Sequence, residues 1–128
     1  GCGLELKKRK SQGRPVAYNL ELFSTAALLE TPDEVRQLHE DYAAAGATVL
    51  TTATFAVTKH FLSKTGQGHM VRELARRAVR LAREAAASAA AARGTAPPKV
   101  AGCVPPLSEC YRADLTLPPA RLAEEYAE

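Results

Sequence analysis

A helix signal that runs straight into a charge-free, β-branched run constrains this chain more than any other feature. Thr31-Pro32-Asp33-Glu34 has the form of a capping box, in which the threonine hydroxyl accepts from a backbone amide in the first turn and the glutamate reaches back. Pro32 falls at the first helical position, where a missing N–H does no harm. Val35, Leu38, Tyr42 and Ala45 recur at helical spacing, and Gly46 supplies a left-handed stop. Residues 47–57, Ala-Thr-Val-Leu-Thr-Thr-Ala-Thr-Phe-Ala-Val, follow at once. They predict a strand buried on both faces, as parallel strands are.

The same pair of signals returns downstream. A second helix is expected from Met70 to about residue 92, with an apolar stripe of Val71, Leu74, Ala75, Ala78, Leu81, Ala82 and Ala85. Arg72, Arg76, Arg80 and Arg83 lie on its other side, where a solvated outer face explains them better than an acidic partner. Gly94, Pro97 and Pro98 end it, residues 99–104 read as a short strand, and a further helix begins near Pro118 and runs through Leu122 and Tyr126. The loop after the first strand holds Gly66 and Gly68. The order is loop, helix, strand, loop, helix, strand, loop, helix, which means an α/β fold with parallel strands and crossover helices. An open doubly wound sheet and a (β/α)8 barrel both satisfy it. A barrel takes about 250 residues, so this chain of 128 would be about half of one.

Several classes of function are disfavoured. The net charge of +3 is too small to argue for nucleic acid, and the basic run at residues 7–10 reads as a solvated turn after a loop. No apolar stretch approaches the roughly 18 residues that span a bilayer. Hydrophobic residues make up 46% of the chain but aromatics only 5%, so much of the core must be alanine and correspondingly thin. The odd set Cys2, Cys103 and Cys110, with no C-x-x-C pair, argues against a disulfide framework and against a complete zinc site. Reduced thiols and a cytoplasmic location follow as the expectation.

Ligands of α/β folds meet the loops after the C-terminal ends of strands. That rule selects the opening loop at residues 1–6, the end of the first strand at residues 51–55, and the end of the second at residues 102–106. Gly1 and Gly3 leave backbone amides bare for a small ligand, although Leu6 stands where a dinucleotide fingerprint needs its third glycine. Thr51, Thr52 and Thr54 are either ordinary strand residues or hydroxyls that hold the polar end of a substrate. His39, expected on a helix flank, and His60 and His69, expected in a loop, are too scattered for a metal set. Glu109, Cys110 and Tyr111 bring a carboxylate, a thiol and a phenol close in sequence, without a defensible catalytic arrangement.

Taken in order, these motifs resemble the homocysteine S-methyltransferase family. Gly1-x-Gly3-x-Glu5-Leu6 resembles the family's Asp-Gly-Gly-x-Gly-Thr-Glu-Leu segment after the first barrel strand. Phe23-Ser24-Thr25-Ala26-Ala27-Leu28-Leu29 and the helix beginning at Pro32 resemble its first helix. Thr51-Thr52-Ala53-Thr54-Phe55 is similar to Thr-Thr-Asn-Thr-Tyr, Ala101-Gly102-Cys103-Val104-Pro105-Pro106 to Ala-Gly-Ser-x-x-Pro, and Tyr111-Arg112-x-Asp114-Leu115 to the segment that follows. The resemblance implies the N-terminal portion, about three βα units, of a (β/α)8 barrel that transfers a methyl group to the thiolate of homocysteine to form methionine. It implies S-methylmethionine, S-adenosylmethionine, betaine or methylfolate as donor, no nucleic acid or membrane partner, and Gly1, Gly3, Thr52 and Thr54 as the substrate-lining residues. It also implies a zinc ion that deprotonates the substrate thiol. The family's zinc cysteines lie in later Asn-Cys and Gly-Gly-Cys-Cys segments, which do not occur here, and Cys2, Cys103 and Cys110 do not take their places. Two further departures are Ala53 for the family asparagine and Cys103 for serine, and the aspartate before the glycines would precede Gly1. The expectation is therefore one partial homocysteine-binding domain over residues 1–128, cut at both ends and inactive alone. The alternative is a non-catalytic half-barrel that self-associates through open sheet edges.

Overall fold

The computed structural model describes residues 1–108 and 110–127. Helix α3, Pro32–Ala44, starts at Thr31 as expected, and Gly46 takes φ +100° just beyond its end. The capping box does not form. The Thr31 hydroxyl instead accepts from the Ala17 amide at 3.1 Å, and the Glu34 carboxylate receives the Arg14 guanidinium at 3.0 and 3.1 Å. Both capping groups are thus turned to the segment that precedes helix α2, Thr25–Glu30. The buried stripe of α3 is also rotated from the expected one: Val35, Leu38, His39 and Ala43 are buried, whereas Tyr42 and Ala45 are exposed.

The opening segment is not a loop. Cys2–Ser11 forms helix α1, because Leu6 and Arg9, one turn apart, both reach the interior. Leu6 joins the main core, and Arg9 pairs with Asp41 of α3 at 2.7 Å and with Glu5 at 3.3 Å. The basic run is the last turn of this helix, where positive charge complements the helix dipole. Burial raises the Asp41 pKa, but hydrogen bonds from Gln37 and Arg9 and the Arg9 charge outweigh it, so the carboxyl sits below its usual range.

The strand after α3 is far shorter than its β-branched run. Strand β1 is Val49–Thr51, and it pairs in parallel with β2, Lys99–Ala101, in the register Val49↔Lys99, Leu50↔Val100, Thr51↔Ala101. The ladder's last bond runs from the Thr52 amide to the Ala101 carbonyl, after which the chain turns, with the Val57 amide donating to the Thr54 carbonyl. Ala53, Ala56 and Val57 are buried by this turn and not by a sheet. Burial of β1 is likewise one-sided. Leu50 packs on Ala43 of α3 and on Ala85 and Ala86 of the long helix that precedes β2, while Val49 on the other face is 50% exposed.

A short helix α4, Lys59–Ser63, occupies part of the expected glycine loop, capped by the Thr58 hydroxyl, which accepts from the Phe61 amide. Helix α5, Val71–Arg93, then runs for 23 residues and stops at Gly94, φ +63°. Leu74, Ala78, Leu81, Ala82 and Ala85 are buried as expected, Ala86 extends the stripe, and Val71 and Ala75 are only half-buried. Arg77 ties α5 to the Leu28 carbonyl at 2.8 Å, and Arg93 ties it to Ala43 at 2.7 Å. Helix α6, Pro119–Ala127, follows the second strand end as expected, with Glu128 outside the described residues.

The core draws on α1, α2, α3, α4, α5 and the turn after β1, with Leu6, Leu28, Leu38, Leu62 and Leu74 as its largest fully buried side chains. With so much of the remainder alanine, each leucine carries an unusual share. Leu38→Ala is expected to lose about 2–5 kcal/mol of unfolding free energy in urea titration. Ala45→Ser, on the exposed end of the same helix, should stay within about 0.5 kcal/mol.

Candidate functional site

Three pieces of backbone converge at the C-terminal end of the two-stranded sheet: the start of α1, the segment after β1, and the segment after β2. The link between the last two is a closed relay of hydroxyls. The Cys103 amide donates to Thr52 Oγ1 at 3.0 Å, and Thr54 Oγ1 donates to the Cys103 carbonyl at 2.7 Å. The two threonine oxygens are 3.0 Å apart. Because the Thr54 proton is committed to Cys103, Thr52 must donate to Thr54. Both polar groups of Cys103 are thereby satisfied by side chains where ladder bonding has ended. Thr52 and Thr54 are buried, at 3% and 8% exposure, and neither has a hydroxyl proton left for a ligand. Each keeps one acceptor position.

On the opposite side of the same segment, the Cys2 thiol lies 3.8 Å from the Thr51 carbonyl. Gly1, Cys2, Thr51, Val49, His39 and Tyr42 line a cavity of about 250 Å3 there. Burial pushes the Cys2 thiol up. The thiol is therefore protonated at neutral pH and a poor nucleophile. Gly3 is not in a loop but inside a helix, where a Cβ would meet Ser24 at an ordinary 4.0 Å. So Gly1 and Thr51 share one cavity, Thr52 and Thr54 face Cys103, and Gly3 lies against Ser24.

His39 was not foreseen here. It is 1% exposed, its Nε2 has no hydrogen-bond partner among the described residues, and burial lowers its pKa. Its position one residue after Leu38 put it on the flank of the expected stripe, and only the rotation of α3 carries it inward. His60 and His69 are exposed, on α4 and on the single turn Gly68–Met70. Tyr111 projects fully into solvent, Cys110 is half-buried, and Glu109 lies outside the described residues. All three cysteines are free thiols, and among the described residues no three histidine, cysteine or carboxylate side chains stand close enough to hold a metal ion. The residues present do not fit a zinc ion.

A larger cavity, about 530 Å3, lies between α4, the segment after β2 and α6, with Val57, Val71 and Leu117 as apolar lining and Lys59, His60 and Arg121 among its polar groups. The Tyr126 hydroxyl closes one side by donating to the Pro105 carbonyl at 2.8 Å.

Two parallel strands joined through helices, with polar groups gathered at their C-terminal ends, define an α/β arrangement. The whole chain, residues 1–128, matches the homocysteine S-methyltransferase family, and the chain belongs to it. No curated protein sequence matches it significantly. Among solved structures it is similar to the homocysteine methyltransferase MmuM from Escherichia coli. The metallated form aligns with TM-score 0.64 and 31% identity, over 78% of this chain and 35% of that one. The oxidised form gives 0.61 and 30%, over 75% and 33%. The chain thus spans about a third of the solved proteins it resembles. No helix among the described residues is long and apolar enough to cross a membrane.

Two outcomes are expected at this site. Thr54→Val leaves the Cys103 carbonyl without its donor and should cost about 1–3 kcal/mol in urea unfolding, whereas Thr54→Ser keeps the hydroxyl and should lose only about 0.8 kcal/mol. For His39, the folded pKa lies below the ordinary 6.5, so the unfolded chain takes up its proton first as pH falls. The stability that neutral His39 contributes is whole above pH 6.5 and drains away from there down to the folded pKa. Asp41 and Asp114, both depressed from 3.8, act only below that value. Unfolding free energies measured from pH 7.5 to 4.5 should fall with pH in the parent chain and flatten in His39→Leu.

Proposed function

We propose that this chain is the N-terminal part, about three βα units, of a (β/α)8 barrel that transfers a methyl group to homocysteine to form methionine. One observation carries the reading: in a chain of this family, the start of α1, the end of β1 and the end of β2 are drawn together by Cys2–Thr51 and by the Thr52–Thr54–Cys103 relay. In such a barrel these three ends would form part of one mouth. Gly1, Gly3, Thr52 and Thr54 are the proposed substrate-lining set. The side-chain geometry favours an indirect part for the threonines, which fix the Cys103 backbone and offer acceptors to a substrate ammonium. The chain's own residues bind and orient. Zinc would be held by cysteines outside this chain, and no step of the transfer runs through Cys2 or Cys103. The unit is proposed to be one partial domain over residues 1–128, inactive alone, and cytoplasmic, where its three thiols stay reduced.

A second reading, self-association of an open half-barrel, is favoured by one feature. Apolar side chains stand exposed on β1 and on the segments after both strands, with Val49 50%, Phe55 39% and Val104 76% exposed. Sedimentation velocity separates the two, since a dimer at micromolar concentration supports self-association and a monomer removes it.

The methyltransferase reading is tested by titrating L-homocysteine into the isotopically labelled chain. Amide signals of Gly3, Thr52 and Thr54 should shift together with a midpoint near 1 mM, about −4 kcal/mol, and S-methylmethionine should yield no methionine. Shifts confined to other regions, or none at 10 mM, about −2.7 kcal/mol, would contradict it.

A further inference from the structure

The arginines of α5 expected on a solvated outer face are exposed, and they differ in what they hold. Of the chain's eleven arginines, nine hold a carboxylate, a carbonyl or another partner. The two that hold none among the described residues are Arg76 and Arg83, and they are neighbours. Seven residues apart, they lie on one side of α5 about 10.5 Å from each other along the axis. Arg80 stands between them, held among the described residues by an exposed contact with Glu84 at 3.7 Å. Together they border a shallow groove of about 440 Å3 whose floor is the half-buried Ala75 and Val79. The opposite face of α5 is buried against the core, so this outer face is fixed in orientation.

We propose that this groove docks an acidic amphipathic helix of a partner protein. Two carboxylates seven residues apart on the partner would meet Arg76 and Arg83, the same axial spacing that α5 imposes on its own side chains. Guanidinium and carboxylate pair in a planar, two-bond geometry, and arginine is enriched at protein interfaces for this reason. An aliphatic side chain of the partner, between its two acids, would cover Ala75 and Val79. A nucleic-acid duplex fits less well. It presents a dense line of phosphates, part of which Glu84 on the groove's edge would repel.

The test is fluorescence anisotropy with a labelled 18-residue helical peptide of alanine, glutamine and leucine carrying two glutamates seven apart. A control peptide has glutamine at both positions, and a 16-base-pair DNA duplex is the third probe. The proposal expects saturable binding of the acidic peptide, at least tenfold weaker binding of the control, and at least tenfold loss in the Arg76→Gln/Arg83→Gln variant. Raising salt from 50 to 300 mM should weaken the complex, and Arg112→Gln, remote on the chain and already paired with Asp114, should not. Circular dichroism confirms that the variants keep their helix content, which exposed arginines should not disturb. Equal binding of both peptides, indifference to the double variant, or tighter binding of the duplex than of the acidic peptide would each overturn it.

Discussion

The relay from the Cys103 amide through Thr52 and Thr54 back to the Cys103 carbonyl is the contact on which this end of the fold depends. A parallel pair of three-residue strands leaves its termini with unsatisfied peptide groups, and a buried peptide group without a partner is costly. Two adjacent hydroxyls resolve this for both polar groups of one residue. They also fix where the segment after β2 leaves the sheet. With that exit set, the turn after β1 can drop Ala53, Ala56 and Val57 into the core, and α4 can begin at Thr58.

This changes what the threonine-rich stretch means. A run with Thr51, Thr52 and Thr54 reads equally as strand and as ligand-binding surface. Here only Thr51 belongs to the strand, and the other two work inward, on the neighbouring strand end. A family site built on such a segment gains precision from backbone held by buried hydroxyls and not from loop side chains. Cys2, protonated and set against the Thr51 carbonyl, extends the same organisation to α1.

Periodic signals were legible in the sequence, and the long helices show it. The start of α3, the stops at Gly46 and Gly94, the buried stripe of α5 and the onset of α6 all follow local pattern. The misreadings come from contacts remote in sequence. Thr31 and Glu34 have a capping pattern, but Ala17 and Arg14 claim them. Gly1 and Gly3 suggest a loop, and the burial of Leu6 with the Arg9–Asp41 pair makes a helix. The charge-free run from 47 to 57 predicts a long strand because apolar burial looks the same whether a sheet or a folded turn provides it. His39 went inward through a small rotation of α3 that no spacing rule resolves. The family resemblance was legible because its motifs lie in order along the chain, even where their local structure was misjudged.

Hydrogen–deuterium exchange over residues 48–55 and 99–104, compared between the parent chain and Thr54→Val, tests the central claim most directly. If the hydroxyl relay holds the two strand ends as one unit, both segments lose protection together in the variant while α3 and α5 keep theirs. Loss confined to residues 48–55, with residues 99–104 still protected, would contradict the account.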